Sequence, residues 1–170
     1  SLITHLGVST WYLVASSLIF LCFRYLNKNE AHAHQALFLF LSVAVSGLLA
    51  DLLKFVFGRY RPKMLFDEGL YGFTLFHSGY AFNSFPSGHA NTITAVAVAL
   101  YFIYPRFRYF YALVAASVIV SRLVLGSHYL GDVVAGSYLG ILATLYLKSI
   151  FDRKGISLQQ PMLQTDGSPR

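Results

Sequence analysis

Residues 35–57 read QALFLFLSVAVSGLLADLLKFVF, with no charged side chain before Asp51. A helix of about 20 apolar residues crosses the hydrocarbon core of a bilayer, so this run predicts a transmembrane helix. Four other segments are similarly apolar, although two of them are short for a span. The five predicted spans are residues 6–26, 35–57, 88–104, 109–125 and 129–150. We therefore expect an all-α fold, a polytopic bundle of transmembrane helices.

The composition of the chain supports this class. Of the 170 residues, 56% are hydrophobic and 12% are charged, whereas soluble domains carry about 25% charged residues. The formal net charge is +6, but the basic residues lie between apolar runs and form no solvated stripe, which argues against a nucleic-acid partner. The one cysteine, Cys22, lies in an apolar run, so we expect neither a disulfide nor a cysteine metal site.

We predict one membrane-embedded domain, residues 1–154, followed by a polar and flexible tail, residues 155–170. Between the second and third spans runs a long stretch, residues 60–85, which we call the connecting segment. It is rich in Phe, Tyr and Leu, and we expect it to lie at the membrane interface. It can serve as an aromatic belt that anchors the protein, or it can help to admit a lipid.

The loop charges predict the orientation of the bundle. If the spans alternate, the basic residues on one side are Arg24, Lys28, Arg106, Arg108, Lys148, Arg153 and Lys154. This excess predicts the cytoplasmic side. The basic residues on the opposite, outer side are Lys54, Arg59, Arg61, Lys63 and Arg122. Because basic residues are disfavoured on an outer face, the second set needs its own explanation, and a binding site for an anion would supply one.

Three polar stretches end on this outer side. In the first, Lys54 and Arg61 are seven residues apart and share a helix face, where two cations suit a phosphate. The alternative is a pair of basic side chains that extend to the interface.

The second stretch, residues 85–89, reads FPSGH before an apolar helix. Ser87 is expected to cap that helix, and the free N–H groups beyond it can bind an anion beside His89, although an ordinary cap is the alternative.

The third stretch, residues 121–132, reads SRLVLGSHYLGD. His128 and Asp132 are four residues apart, one helical turn, so the carboxylate can accept a hydrogen bond from one imidazole nitrogen and leave the other basic. Such an imidazole can attack phosphorus or act as a base. A carboxylate near a span is costly unless it is paired, and His128 is its expected partner.

Together these stretches resemble the three signature motifs of the type 2 phosphatidic acid phosphatase (PAP2) family. The motifs are Lys54-x6-Arg61-Pro62, Pro86-Ser87-Gly88-His89 and Ser121-Arg122-x5-His128-x3-Asp132. The resemblance implies that His128 is the nucleophile, Asp132 its orienting carboxylate, and His89 the acid that protonates the leaving oxygen and later activates water. The phosphate-binding residues that it implies are Lys54, Arg61, Ser87, Gly88 and Arg122, and it implies no metal or other cofactor.

The number of spans departs from this family. Its members usually have six spans, the first motif ends the third, and the active site faces away from the cytoplasm. Here the first motif ends the second of five predicted spans, so we expect that the first helix is absent from this chain. The resemblance implies an inner-membrane protein whose site faces the periplasm or the exterior.

The function that the resemblance implies is removal of phosphate from a lipid phosphate or diphosphate through a phosphohistidine. The candidate substrates are undecaprenyl diphosphate, phosphatidylglycerol phosphate, phosphatidic acid and the lipid A phosphates. Two alternatives stay open, a phosphotransferase that uses the same phosphohistidine and a non-catalytic transporter of lipids or anions. The sequence does not predict an oligomeric state.

Two further patterns concern packing. Gly136 and Gly140 form a small-xxx-small face, which favours close helix packing within one chain or in a dimer. Asp51 lies one turn before Lys54, and we expect it to neutralise the lysine.

Overall fold

The computed structural model describes residues 5–77 and 79–159, and all of its regular elements are helices apart from one isolated backbone bridge. We number the α-helices in chain order. They are α1 Ser9–Leu21, α2 Glu30–Phe57, α3 Pro62–Glu68, α4 Gly88–Ile103, α5 Arg108–Val124 and α6 Leu130–Arg153. A π-helical turn, Cys22–Leu26, continues α1. The predicted all-α class is therefore confirmed.

Within residues 5–77 and 79–159, four helical stretches are long and apolar enough to cross a membrane, namely Ser9–Leu26, Glu30–Phe57, Pro105–Val124 and Leu130–Arg153. The remaining predicted span is α4, which is shorter at 16 residues but similarly apolar. Large apolar side chains on these helices point away from the bundle, such as Leu18, Leu48 and Val124. A helix that is apolar on its outer face as well as its inner face suits a lipid environment. The chain is therefore an integral membrane protein.

Helix α2 is longer than its apolar run, because it begins at Glu30 and not at residue 35. Its first turn is polar, and Asn29 caps it by accepting a hydrogen bond from the backbone N–H of His32 at 3.2 Å. The helix ends at Gly58, whose positive φ of 46° suits glycine. A side chain at Gly58 would collide with the backbone oxygen of Thr74. The chain therefore turns back across the end of α2 at this point.

Helix α4 is the centre of the bundle and contacts α2, α5 and α6. Its most extensive contact is with α6, where two glycines let the backbones approach. A Cβ at Gly140 would lie 2.5 Å from the backbone oxygen of Asn91, and a Cβ at Gly136 would collide with the backbone oxygen of Ser87. The predicted close packing of Gly136 and Gly140 within one chain is thus confirmed.

The connecting segment is ordered over its described residues and folds back on the end of α2. Near its start lies the short helix α3, Pro62–Glu68, which the sequence interpretation did not anticipate. Four backbone hydrogen bonds fix it: Tyr60 N–H to Gly72 O at 3.1 Å, Thr74 N–H to Gly58 O at 3.0 Å, Arg61 N–H to Ala81 O at 3.0 Å and Ser84 N–H to Arg59 O at 3.1 Å. The segment thereby covers one end of the bundle, which we call the motif end.

The first residues of the predicted tail pack on the other end of the bundle. Leu158 is 3% exposed and joins an apolar cluster with Phe38 and Phe151. Its backbone oxygen accepts a hydrogen bond from Gln35 Nε2 at 2.8 Å. The packed part of the chain thus extends beyond residue 154, while the predicted tail residues 160–170 lie outside the described residues.

Candidate active site

The fold brings the three motifs together at the motif end, where α2 and α5 end and α4 and α6 begin. A Cβ placed on Gly88 would lie 3.1 Å from Lys54 Nζ, so the first two motifs touch. The backbone N–H of Ser87 donates to the backbone oxygen of Asp132 at 2.9 Å, which joins the second motif to the third. The His89 side chain interacts electrostatically with Arg122, His128, Lys54 and Arg61. The predicted site residues therefore form one cluster.

The second motif forms the beginning of α4, as predicted. Ser87 is buried and caps the helix, because its Oγ accepts a hydrogen bond from the N–H of Ala90 at 3.5 Å. Gly88 and His89 are the first two residues of the helix, and N–H groups at this position have no partner within a helix. A helix N-terminus of this kind attracts a phosphate through its N–H groups and its dipole.

Two basic residues of the cluster, Lys54 and Arg61, are each held in place by neighbouring protein groups. Lys54 Nζ lies 2.8 Å from Asp51 Oδ1, which confirms the predicted neutralisation. Arg61 donates through Nε to the backbone oxygen of Tyr80 at 2.9 Å and lies over the ring of Tyr80. Burial lowers the pKa of the Arg61 guanidinium, and the nearby Tyr80 and Asp132 oppose that effect. The guanidinium is nonetheless a fixed cation, because arginine stays protonated in proteins.

Arg122 adds a further buried cation to this cluster. It is 6% exposed and interacts electrostatically with Arg61. Two guanidinium groups that approach each other repel, and the repulsion is relieved when an anion lies between them. The arrangement of Lys54, Arg61 and Arg122 around the start of α4 can therefore bind a phosphate.

His128 is oriented by a backbone carbonyl. Its Nδ1 lies 2.8 Å from the backbone oxygen of Ser84. A carbonyl can only accept, so Nδ1 carries the proton, and in the neutral imidazole Nε2 keeps its lone pair. The distance from Nδ1 to Asp132 Oδ2 is 3.8 Å, which is an ion-pair distance but too long for a hydrogen bond. The predicted proximity of His128 and Asp132 is confirmed, whereas the predicted direct hydrogen bond is wrong.

The carboxylate of Asp132 makes its hydrogen bonds elsewhere. Oδ1 accepts from Arg59 Nη1 at 2.7 Å. Oδ2 accepts from Ser84 Oγ at 2.6 Å and from the backbone N–H of Tyr129 at 2.9 Å. Asp132 has no exposed surface, and these three donors offset the cost of burying its charge. Oδ2, which lies 3.8 Å from His128 Nδ1, thus already accepts two shorter hydrogen bonds.

Arg59 and Ser84 were not assigned to the site from the sequence. Arg59 stood out only as one of the basic residues on the predicted outer side. Ser84 gave no signal, because its importance depends on how the connecting segment folds. The position of Arg59 between Lys54 and Arg61 was the one available hint.

A cleft of about 210 Å³ lies beside His89 and Lys54. Gly7 forms part of its wall and packs against the histidine, since a Cβ on Gly7 would lie 2.7 Å from His89 Cδ2. Asn91 also lines the cleft, and its buried Oδ1 has no hydrogen-bond partner among the described residues. Gly7, which precedes α1, thus packs against one side of the His89 side chain.

Metal-ligand types do not cluster in the part of the chain that the structure describes, where no three His, Cys, Asp or Glu side chains come together in a way that could hold an ion.

Comparison with known proteins adds an independent line of observation. The sequence model of the PAP2 superfamily matches residues 35–156. Two lipid A 1-phosphatases, from Rhizobium johnstonii and Rhizobium etli, are each 36% identical to the chain over 178 residues. Each alignment covers 99% of this chain, and they cover 72% and 75% of the two relatives.

A solved structure agrees with the fold. It is the crystal structure of a transmembrane PAP2-type phosphatidylglycerolphosphate phosphatase from Bacillus subtilis. The two structures superpose with a TM-score of 0.63 at 28% sequence identity, over 89% of this chain and 74% of that chain. The helices described above therefore have the arrangement of that phosphatase.

Proposed function

This chain belongs to the PAP2 superfamily and is a membrane lipid phosphatase, and from this premise we propose that it acts through a phosphohistidine intermediate. His128 is the nucleophile and His89 the general acid. The observation that carries the proposal is the hydrogen bond from His128 Nδ1–H to Ser84 O at 2.8 Å. It leaves the Nε2 lone pair free beside a set of fixed cations.

The proposed reaction has two steps. In the first, His128 Nε2 attacks phosphorus, the bond from phosphorus to the lipid oxygen breaks, and His89 donates a proton to that oxygen. In the second, His89 takes a proton from water as the water oxygen attacks the phosphohistidine, which releases inorganic phosphate and restores the imidazole. Lys54, Arg61, Arg122 and the N–H groups at the start of α4 stabilise the charge that grows on the phosphoryl oxygens.

Replacement of His128 tests the nucleophile directly. We expect His128→Gln to lower kcat by a factor on the order of 10⁴ or more, because removing a nucleophile disables the whole catalytic unit. We also expect it to abolish the acid-labile phosphoenzyme that rapid quenching with radiolabelled substrate traps in the parent protein. His34→Gln is the matched control, since His34 lies near the start of α2 at the other end of the bundle. Substantial turnover by His128→Gln would reject the assignment.

For the substrate, we propose the phosphate at the 1-position of lipid A as the first candidate, because two relatives at 36% identity carry that activity in their names. Phosphatidylglycerol phosphate is the second candidate, by similarity to the solved structure. A panel of purified substrates should contain these two lipids together with phosphatidic acid and undecaprenyl diphosphate. We expect the highest kcat/KM for lipid A 1-phosphate, and a clear preference for another lipid would overturn this choice.

The two alternatives are separated by the products. A phosphotransferase would release less inorganic phosphate when an acceptor lipid is added, whereas we expect release by this protein to be unchanged. A transporter would release none. Phosphate release by the purified protein therefore distinguishes all three functions.

We propose that the motif end faces the outside of the cytoplasmic membrane, and the excess of basic residues in the loops at the opposite end supports this orientation. Glu68, in the connecting segment, and Arg106, between α4 and α5, are both exposed and lie on opposite sides in this topology. Single cysteines at these positions, in a Cys22→Ser background, should differ in their reaction with a membrane-impermeant thiol reagent on intact cells. We expect labelling at position 68 only, and labelling at position 106 only would invert the topology.

A further inference from the structure

We propose that Arg59 is a positioning residue for the nucleophile, because it holds both Asp132 and Ser84, the two groups that contact the Nδ1 side of His128. The proposal rests on the proposed function, in which His128 attacks phosphorus. It assigns a role to a residue in the x6 stretch of the first motif, between Lys54 and Arg61, and the role is carried out without contact with the substrate.

The side chain of Arg59 makes the first link. Its Nη1 lies 2.7 Å from Asp132 Oδ1, and the two side chains are 12% and 0% exposed. The attraction between such charges is strong where water is excluded, and the short distance fixes the carboxylate in place. Arg59 thus fixes one of the two oxygens of the carboxylate near His128, while Ser84 and Tyr129 bond the other.

The backbone of Arg59 makes the second link. Its carbonyl oxygen accepts a hydrogen bond from Ser84 N–H at 3.1 Å. Ser84 in turn accepts from His128 Nδ1 through its own carbonyl at 2.8 Å and donates from its hydroxyl to Asp132 Oδ2 at 2.6 Å. Arg59, Ser84 and Asp132 therefore form a closed ring of hydrogen bonds, and His128 is attached to this ring through Ser84.

Three aromatic rings hold the guanidinium in its orientation. The Arg59 Cζ lies 4.4 Å from the ring centroid of Tyr129, 5.0 Å from that of Phe73 and 5.9 Å from that of Tyr71. Cation–π attraction of this kind favours a planar guanidinium over an ammonium group. Tyr129 follows the nucleophile in the chain, whereas Phe73 and Tyr71 belong to the connecting segment. Arg59 therefore joins the connecting segment to the catalytic histidine.

A direct role in phosphate binding is the competing interpretation, since Arg59 is one of the basic residues at the motif end. Two of its three nitrogens are engaged by the protein, since Nη1 is bonded to Asp132 and Nη2 lies 3.4 Å from the hydroxyl of Tyr71, whereas the buried Nε has no hydrogen-bond partner among the described residues. A phosphate ligand affects the binding of substrate and of inorganic phosphate, whereas a positioning residue affects the rate of attack. The two roles therefore predict different kinetic changes.

The test uses the purified full chain with p-nitrophenyl phosphate, whose hydrolysis needs no lipid headgroup. We expect Arg59→Gln to lower kcat by about 100-fold, the cost of misplacing a reacting group by about 1 Å. KM and the inhibition constant of inorganic phosphate should stay within about twofold of the parent, because the phosphate ligands are intact. Arg59→Lys should recover only part of the loss, since an ammonium group cannot replace the planar fork.

Lys63→Gln is the matched control, because Lys63 is a solvent-exposed cation at the same end, and its Nζ lies 4.0 Å from Asp67 Oδ2. It should leave kcat unchanged. A rise in KM and in the phosphate inhibition constant at constant kcat would make Arg59 a phosphate ligand and overturn the proposal. Equal losses in Arg59→Gln and Lys63→Gln would also overturn it, because only a general loss of charge would then be at work.

A double-mutant cycle guards against a simple folding defect. Ser84→Ala removes the hydroxyl bond to Asp132 and keeps the backbone carbonyl that binds His128. If the ring acts as a unit, the combined loss in kcat of Arg59→Gln with Ser84→Ala is smaller than the product of the single losses. Independent, multiplicative losses would refute the ring. If instead the proposed function is wrong, His128→Gln retains activity, and this result does not depend on the Arg59 variants.

Discussion

Replacing Gly136 with alanine would test how closely the site depends on the contact between α4 and α6. A methyl group at Gly136 collides with the backbone oxygen of Ser87 and lies 3.2 Å from both the carbonyl carbon and the nitrogen of that residue. The obstacle is backbone, so no side-chain rotation can remove it. Ser87 is also tied to α6 by its hydrogen bond to Asp132 O at 2.9 Å. The two helices must therefore move apart at the start of α4, where the proposed phosphate-binding N–H groups lie.

The neighbouring Gly140 sets the scale. A Cβ there would lie 2.5 Å from Asn91 O and 3.0 Å from the backbone nitrogen of Ala95, whereas carbon and oxygen atoms normally stay about 3.3–3.6 Å apart. The helices would have to separate by roughly 1 Å, and overpacking of this kind costs about 1–3 kcal/mol. We expect both Gly136→Ala and Gly140→Ala to be destabilised by this amount.

The two variants should differ in activity. Gly136 touches Ser87, so a displacement of roughly 1 Å reaches the anion site and should lower kcat by about 100-fold. Gly140 touches Asn91, one turn further from the site, and its variant should keep more of its activity. Gly47→Ala is the control, because Gly47 lies within α2 and, among the described residues, no atom outside the local helix backbone lies within 4 Å of its Cβ position. That variant should gain about 0.5–1 kcal/mol, as alanine favours helices.

Thermal unfolding in detergent and hydrolysis of p-nitrophenyl phosphate measure the two effects separately. A Gly136→Ala variant with the same melting temperature and kcat as Gly47→Ala would contradict both expectations. Loss of stability in Gly136→Ala without loss of kcat would show that the contact holds the bundle together but does not position Ser87.

Three further predictions concern the acid and the phosphate site. His89→Ala should slow hydrolysis of an alkyl phosphate much more than that of p-nitrophenyl phosphate, because nitrophenolate leaves without protonation; equal losses would argue against a general acid. Gly7→Ala should show the same pattern in weaker form, since its Cβ would lie 2.7 Å from His89 Cδ2 and displace the ring, and parent-like ratios would contradict this. Vanadate should compete with substrate by binding among Lys54, Arg61 and Arg122, and chelators should leave activity unchanged. Activity that is lost in a chelator and restored by a divalent ion would contradict a metal-independent mechanism.

The spans could be predicted because lipid selects strongly for long apolar runs, and the polar residues that interrupt these runs are then conspicuous. The convergence of the motifs also followed from the sequence, since helices that alternate in direction bring the end of α2 and the start of α4 to the same side. The start of α2 was placed too late because its first turn is polar and capped by Asn29. Hydropathy detects the part of a helix that lies in lipid, not the turns that extend beyond it.

Helix α3 was missed although both of its ends carry a local signal. Pro62 occupies the first turn and Gly69 follows the last turn with a positive φ of 67°, the arrangement that favours the two ends of a helix. With only seven residues, however, the helix is too short to form on its own, and its stability comes from packing. The connecting segment supplies that packing through long-range hydrogen bonds, such as Arg61 N–H to Ala81 O, which no local pattern reveals.

The orientation of His128 shows why the four-residue spacing of His128 and Asp132 predicted that they lie close together but not which group His128 bonds. Residues four apart meet on a helix face, but α6 begins at Leu130, so His128 lies before the helix and the rule does not apply to it. Asp132 is the third residue of the helix, and a carboxylate at that position favours the N–H of the cap, here Tyr129 at 2.9 Å. The oxygen that could have reached the imidazole is thereby engaged, and Nδ1 turns to the carbonyl of Ser84. The partner of the nucleophile is therefore decided by where the helix begins, together with the position of Ser84 that Arg59 fixes from 25 residues earlier in the chain.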